Sequence, residues 1–144
     1  GQANYAAAKL GIVGLSHSIA LDMQRFGVRS NIVSPSAFTR MIETIPIKGP
    51  EGEARRKRQE AMTPQKIAAP TVYLLSDLAN EVTGQIFYVR SNEIMLMSKN
   101  RPVRTVHRSD GWTPQKIHEH AMHAFKPHFL ANDRSADYFV WDPV

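Results

Sequence analysis

Cysteine is absent from the 144-residue chain. That excludes disulfides, thiolate metal sites and a thiol nucleophile, and it leaves the redox compartment open because absence fits either state. No stretch approaches the roughly 18 consecutive apolar residues of a membrane-spanning helix; the apolar runs are short pieces such as Ile94 to Met97. A strong excess of one charge is missing too. The 18 Lys and Arg against 13 Asp and Glu leave +5, compatible with an acidic partner such as nucleic acid or a phosphorylated ligand but too small and too scattered to decide. What is present is ordinary globular material, 42% hydrophobic and 22% charged, about one domain in length and unlike a disordered tail. The first residue is Gly1, so a targeting segment upstream would not be visible.

Proline is missing from Gln2 to about Phe26, and Ile12, Leu15, Ile19 and Met23 recur there at three- and four-residue steps. This predicts a long amphipathic helix, with Gly27 placed to end it. Ala6, Ala7, Ala8, Gly11 and Gly14 give its first half a small-residue face, read as a packing surface for a neighbouring helix or strand. Val28 to Ser34 is a short β-branched stretch bounded by Gly27 and Pro35, and predicts a strand that stops at a proline turn. Pro46, Gly49, Pro50 and Gly52 then punctuate a polar excursion carrying Arg55-Arg56-Lys57-Arg58, with room for one short helix.

Thr63-Pro64 opens a second long helix, the threonine placed to cap and the proline suited to the first turn. Ile67, Val72, Leu74, Leu75 and Leu78 carry it to Ala79, and Gly84 to Val89 predicts a second strand. Helix, strand, helix, strand is the grammar of an α/β parallel sheet. Two strands do not make a stable open sheet alone, so the chain is expected to contribute part of a larger one. Beyond Arg90 the residues are charged and polar as far as Thr113-Pro114, where a third helix opens. The pentapeptide TPQKI occurs at 63 and again at 113 with unrelated flanks, a reused helix start rather than a repeat.

Tyr5 and Lys9 are four residues apart on the first helix, so their side chains share a face. A phenol titrates near pH 10 when unperturbed, and a fixed cation beside it favours the phenolate. Together they make a general acid/base for an alcohol oxygen. The pair gains meaning from its surroundings. Gln2-Ala3-Asn4-Tyr5-Ala6-Ala7-Ala8-Lys9, followed by Gly11, Gly14 and Ala20 and then Gly27-Val28-Arg29-Ser30-Asn31-Ile32-Val33-Ser34-Pro35, strongly resembles the catalytic helix and next strand of the short-chain dehydrogenase/reductase family. The resemblance resumes from Ile67-Ala68 through Leu74-Leu75-Ser76-Asp77 to Val82-Thr83-Gly84-Gln85-Ile86, covering about residues 1 to 45 and 63 to 90.

The resemblance implies an α/β fold, the C-terminal half of a Rossmann-type doubly wound parallel sheet without its N-terminal dinucleotide-binding strands. It assigns residues 1–90 to the catalytic helix, strands and lid, and 91–144 to a C-terminal extension with one helix. It implies that Tyr5 is the acid/base, with Lys9 favouring its phenolate and holding the nicotinamide ribose. In the family a Pro-Gly loop after the strand, with a following Thr or Ser, holds the nicotinamide carboxamide. Pro35, Ser36, Ala37 and Thr39 occupy that place, the donor being Thr39 or a backbone group. Ser36 replaces the usual glycine, and Thr39 stands one position early, a spacing similar to the peroxisomal-type (3R)-hydroxyacyl-CoA dehydrogenase branch. Gln2 stands where related enzymes turn a side chain to the substrate oxygen, and equally where a helix-start glutamine is simply solvated.

Departures from the family pattern are the glycine-rich phosphate turn, the residue that chooses NAD or NADP and the serine expected upstream of Tyr5, none of which lies within these residues. Arg90-Ser91-Asn92 also stands in place of the family's Gly-Gly turn, unlike its usual subunit packing. The excursion after Pro35 falls where the family carries a substrate lid, and its cations are placed to meet acyl-CoA phosphates; a solvated surface helix is the plainer reading of the same run. On an α-helix His118 and His120 point about 200° apart and only His120 and His123 share a face, so no metal site is expected.

The expected function is an oxidoreductase interconverting an alcohol and a ketone with NAD or NADP, on a small-molecule or acyl-CoA substrate such as a 3-hydroxyacyl thioester. The alternative is a non-catalytic subunit that stabilises or regulates a complete homologue. Expected partners are the N-terminal half of the fold, as a separate chain or a missing segment, and a homo- or hetero-oligomer, with neither nucleic acid nor membrane. A cytoplasmic location is expected.

Overall fold

The proline-free opening stretch forms α1, Ala3–Asp22, in a computed structural model that describes residues 2–44, 46–47 and 49–144. The helix tightens into a 3-10 turn, Gln24–Phe26, and ends at Gly27. The glycine φ of 70° lies in the left-handed region that a residue without Cβ enters freely. Burial along α1 reverses what its periodicity predicts. Ser16 and Ala20 are buried, while Ile12, Leu15 and Leu21 are 50%, 61% and 74% exposed. The Ser16 and Ser30 hydroxyls share a hydrogen bond of 2.8 Å, so a narrow polar and small-residue face meets the returning chain and the apolar stripe turns outward. Apart from the chain neighbours and the local backbone of α1, no described residue comes within 4 Å of where a Cβ would stand on Gly11 or Gly14.

β1 is Ile32–Ser36, shifted towards the C-terminus from the expected Val28 to Ser34. The shift has a polar cause. The Arg29 guanidinium donates to the carbonyls of Leu74 at 2.8 Å and Ser76 at 3.2 Å. The Asn31 amide donates to the Val82 carbonyl at 2.7 Å and its oxygen accepts from the Gln85 N–H at 3.0 Å. These residues tie β1 to the loop that feeds β2 before the ladder begins. Pro35 lies inside the strand rather than ending it. The Ile32 N–H donates to Gln85, so alternate residues of β1 from Ile32 face β2 while Val33 and Pro35 face the other, open edge. The missing proline N–H therefore removes no bond of the β1 and β2 ladder.

Two helices occupy the polar excursion where one was expected, α2 at Arg40–Glu43 and α3 at Gly49–Glu60. Its neck is closed by the Phe38 N–H donating to the Met62 carbonyl at 2.7 Å, and the Met62 side chain is buried. α4 is Pro64–Leu75, opening with the expected proline but without a side-chain capping bond from Thr63. A 3-10 turn, Asp77–Ala79, replaces the last helical turn predicted there. β2, Ile86–Arg90, runs parallel to β1 with Ile32 opposite Ile86 and Ser36 opposite Arg90.

β3, Glu93–Leu96, has no counterpart in the sequence reading and makes the sheet mixed, because it pairs antiparallel with β2 in the order β1-β2-β3. Ser91 and Asn92 are its two-residue turn. Ser91 has φ 54°, the positive value that one favoured hairpin turn needs at its first central position and that glycine usually supplies. With serine there, the usual sequence signal is missing. Val89, the fourth residue of β2, is 1% exposed and belongs to a small core with Ala20, Met62, Leu74 and Ala79.

The fold divides into two units, Gly1–Ser98 with Asp142–Val144, and Lys99–Trp141. In the second unit Thr113 accepts the Lys116 N–H at 3.2 Å to cap α5, Pro114–Lys116. A π segment, Ile117–Ala121, follows, so the α-helical angles assumed for His118 and His120 do not apply. α6, Met122–Phe125, and α7, Ser135–Tyr138, complete this unit. Arg108, with help from Lys116, holds the Asp110 carboxyl well below the usual carboxylate range. Among the described residues no helix is long and apolar enough to cross a membrane.

Asn31→Ala leaves the Val82 carbonyl and the Gln85 N–H without this partner, and should lower the unfolding free energy by about 1–3 kcal/mol. A urea midpoint equal to that of the parent protein would contradict the anchoring role.

Candidate active site

Tyr5 and Lys9 stand one turn apart near the start of α1, the Lys9 ammonium 5.4 Å from the centre of the Tyr5 ring. Tyr5 is 60% exposed, so the pair is presented outward rather than sealed in the core. The second half of α1 meets the chain that leads into β1 through the Ser16 and Ser30 hydroxyls, 2.8 Å apart. In an open α/β sheet ligands bind at the C-terminal end of the parallel strands.

At that end Pro35, Ala37 and Thr39, together with Pro64, Ile67, Ala68, Thr71 and Val72 of α4, line an open, mostly apolar groove of about 410 Å³. The alternation of Pro35, Ala37 and Thr39 is that of an extended chain, whose odd residues share a face. Ser36, the last residue of β1 and half-buried, alternates with them and does not line the groove. Thr39 is extended, with φ −132° and ψ 163°, and its side chain makes no capping bond to α2. Its carbonyl accepts from the N–H groups of Ile42 at 2.9 Å and Glu43 at 3.1 Å. Gln2 is exposed at the head of α1, where its carbonyl receives the Ala6 N–H at 2.9 Å and its side chain caps nothing.

The basic run divides once it is folded. Arg56 is half-buried, donates to the Glu43 carbonyl at 3.1 Å and stands 5.4 Å from the Phe38 ring centre. Arg58 pairs with Asp142 at 3.0 Å. Arg55 and Lys57 are exposed. One further polar tie near this end was not legible in the sequence: Lys66, in the first turn of α4, donates to the Ser91 hydroxyl at 2.9 Å. A lysine and a serine 25 positions apart carry no spacing signal, and only the meeting of α4 with the hairpin turn brings them together.

Comparison with known proteins shows the family. The family model described as enoyl-(acyl carrier protein) reductase matches residues 1–91. A hydroxyacyl-CoA dehydrogenase of Mycobacterium tuberculosis is 36% identical over 119 residues, which are 81% of this chain and 37% of that protein. Peroxisomal multifunctional enzyme type 2 of Mus musculus is 32% identical over 121 residues, 83% of this chain and 15% of that protein. The crystal structure of a short chain dehydrogenase from Mycobacterium avium matches with a TM-score of 0.68 at 31% identity, covering 88% of this chain and 40% of that one. The chain thus spans well under half the length of these relatives. With a Tyr and Lys pair one turn apart, a parallel β1 and β2 joined through α4, and a family match over residues 1–91, the chain belongs to the short-chain dehydrogenase/reductase family.

Proposed function

We propose that this chain forms the substrate side of an NAD- or NADP-dependent oxidoreductase that interconverts an alcohol and a ketone, with a 3-hydroxyacyl thioester as the substrate class. The observation that carries the reading is the exposed Tyr5 with the Lys9 ammonium 5.4 Å from its ring centre. In the oxidative direction Tyr5 Oη takes the hydroxyl proton as the substrate C–H departs as hydride; in reduction the same oxygen returns the proton to the ketone oxygen. A bound nicotinamide supplies or accepts the hydride.

The residues present suit one end of such a cofactor. Lys9 can donate to ribose hydroxyls, and the groove at Pro35, Ala37 and Thr39 offers an apolar wall with a threonine hydroxyl at its edge. A phosphate-binding glycine turn is a matter for another part of the fold. The open edge of β1 and the outward Leu10, Leu15 and Leu21 of α1 favour pairing with a segment that completes the sheet, on this chain's own protein or on a partner subunit. An acyl-CoA substrate is supported by the name of the mycobacterial relative and by the exposed Arg55 and Lys57 of α3, which are free to meet phosphate.

Tyr5→Phe keeps the ring and removes only the hydroxyl. It should lower turnover by about 10²-fold or more while leaving nicotinamide nucleotide affinity nearly unchanged; an undiminished rate would refute the proton-transfer role. Lys9→Met should reduce both turnover and nucleotide affinity, the latter read by fluorescence titration. Retained affinity with a lost rate would separate the lysine from the ribose.

Replacing Arg55 and Lys57 with Gln should raise KM for a CoA thioester by roughly fivefold and leave KM for a short ester lacking CoA unchanged. Equal changes for both substrates would place these cations on an idle surface.

A further inference from the structure

α3 is an unusual cover. None of its 12 residues is buried, so it lacks the apolar stripe that normally seats a surface helix. Its attachments among the described residues are largely polar and come from two neighbouring cations. Arg56 reaches back to α2 through the Glu43 carbonyl at 3.1 Å. Arg58 reaches the other way, its Nε 3.0 Å from the Asp142 carboxylate. Asp142 begins a three-residue segment that belongs to the first unit, and that segment is itself held fast. The Val144 carbonyl accepts the Asn92 N–H at 2.7 Å at the tip of the β2 and β3 hairpin. The hairpin turn is a fixed post: Arg90 and Ser91 are buried, and Ser91 is tied to α4 through Lys66 at 2.9 Å.

We propose that Asp142 is a lid-positioning residue: the segment 142–144 is a strap that runs from the hairpin turn to α3 and sets how firmly α3 is held. The inference rests on reading α2 and α3 as the substrate lid. The closed neck at Phe38 and Met62 gives the excursion a hinge, Arg56 ties α3 to α2, and Arg58 ties it to Asp142. The strap is reversible by construction. Arg58 and Asp142 side chains are 47% and 70% exposed, so the pair is weak and screened by salt. A lid must release product as well as cover substrate, and a pair of this strength opens readily. Asp142 touches no reacting atom and acts only through Arg58.

Hydrogen exchange of residues 49–60 reads the strap without reference to activity. Asp142→Asn should raise the exchange of α3 amides by about two- to fivefold, and about 1 M sodium chloride should do the same to the parent protein. Arg58→Glu combined with Asp142→Lys should restore protection, which a merely structural loss would not allow. With a CoA thioester, Asp142→Asn should raise KM by a similar factor and leave kcat unchanged. Exchange in Asp142→Asn equal to that of the parent, or no recovery in the charge-swapped protein, would overturn the strap. Altered exchange with an unaltered KM would uphold the strap and remove the lid reading instead.

Discussion

The parallel pairing of β1 with β2 depends on a small polar junction at Arg29 and Asn31. A parallel ladder cannot be closed by a tight turn, so two distant segments must be delivered in register by something other than the ladder itself. Here the Asn31 amide binds the Val82 carbonyl and the Gln85 N–H, and Arg29 gathers the carbonyls at the end of α4. These bonds align Ile32 with Ile86, satisfy backbone groups that the sharp approach to β2 would otherwise leave unpaired, and place the C-terminal end of β1 beside the first turn of α4. The groove at Pro35, Ala37 and Thr39 exists because of that alignment.

The proposed acid/base pair and the structural support are arranged separately on α1. Its second half, at Ser16 and Ala20, meets the chain leading into β1, while its first half carries Tyr5 and Lys9 outward. Rigid support of this kind is what the proposed proton transfer requires of its scaffold. The apolar stripe of Ile12, Leu15 and Ile19 faces solvent, and among the described residues one edge of β1 carries no strand; both are the surfaces that the proposed completing segment would cover.

α3 follows a different physical rule from the sheet. β2 is held by burial, with Val89 at 1% exposure; α3 is held through charge and hydrogen bonds at Arg56 and Arg58. Contacts of the second kind are weaker and open more readily, the property that the proposed lid requires. The basic run is therefore neither an undivided phosphate patch nor a plain solvated surface. Folding engages two of its members and leaves Arg55 and Lys57 exposed.

By itself the sequence determined α1, the glycine that stops it, the proline that opens α4, both parallel strands to within a few residues, and the pairing of Tyr5 with Lys9. Each of these rests on local chemistry: helical periodicity, left-handed freedom at Gly27, the fixed φ of Pro64 and the four-residue stacking of side chains. Tertiary structure decided the rest. β1 starts late because Arg29 and Asn31 bind residues about 50 positions away, and Pro35 sits within it because its missing N–H falls on the open edge. β3 escaped notice because serine supplies the positive φ at its turn. The strap from Asn92 through Val144 and Asp142 to Arg58 joins residues from three parts of the chain, and no spacing rule along a single chain encodes such a meeting.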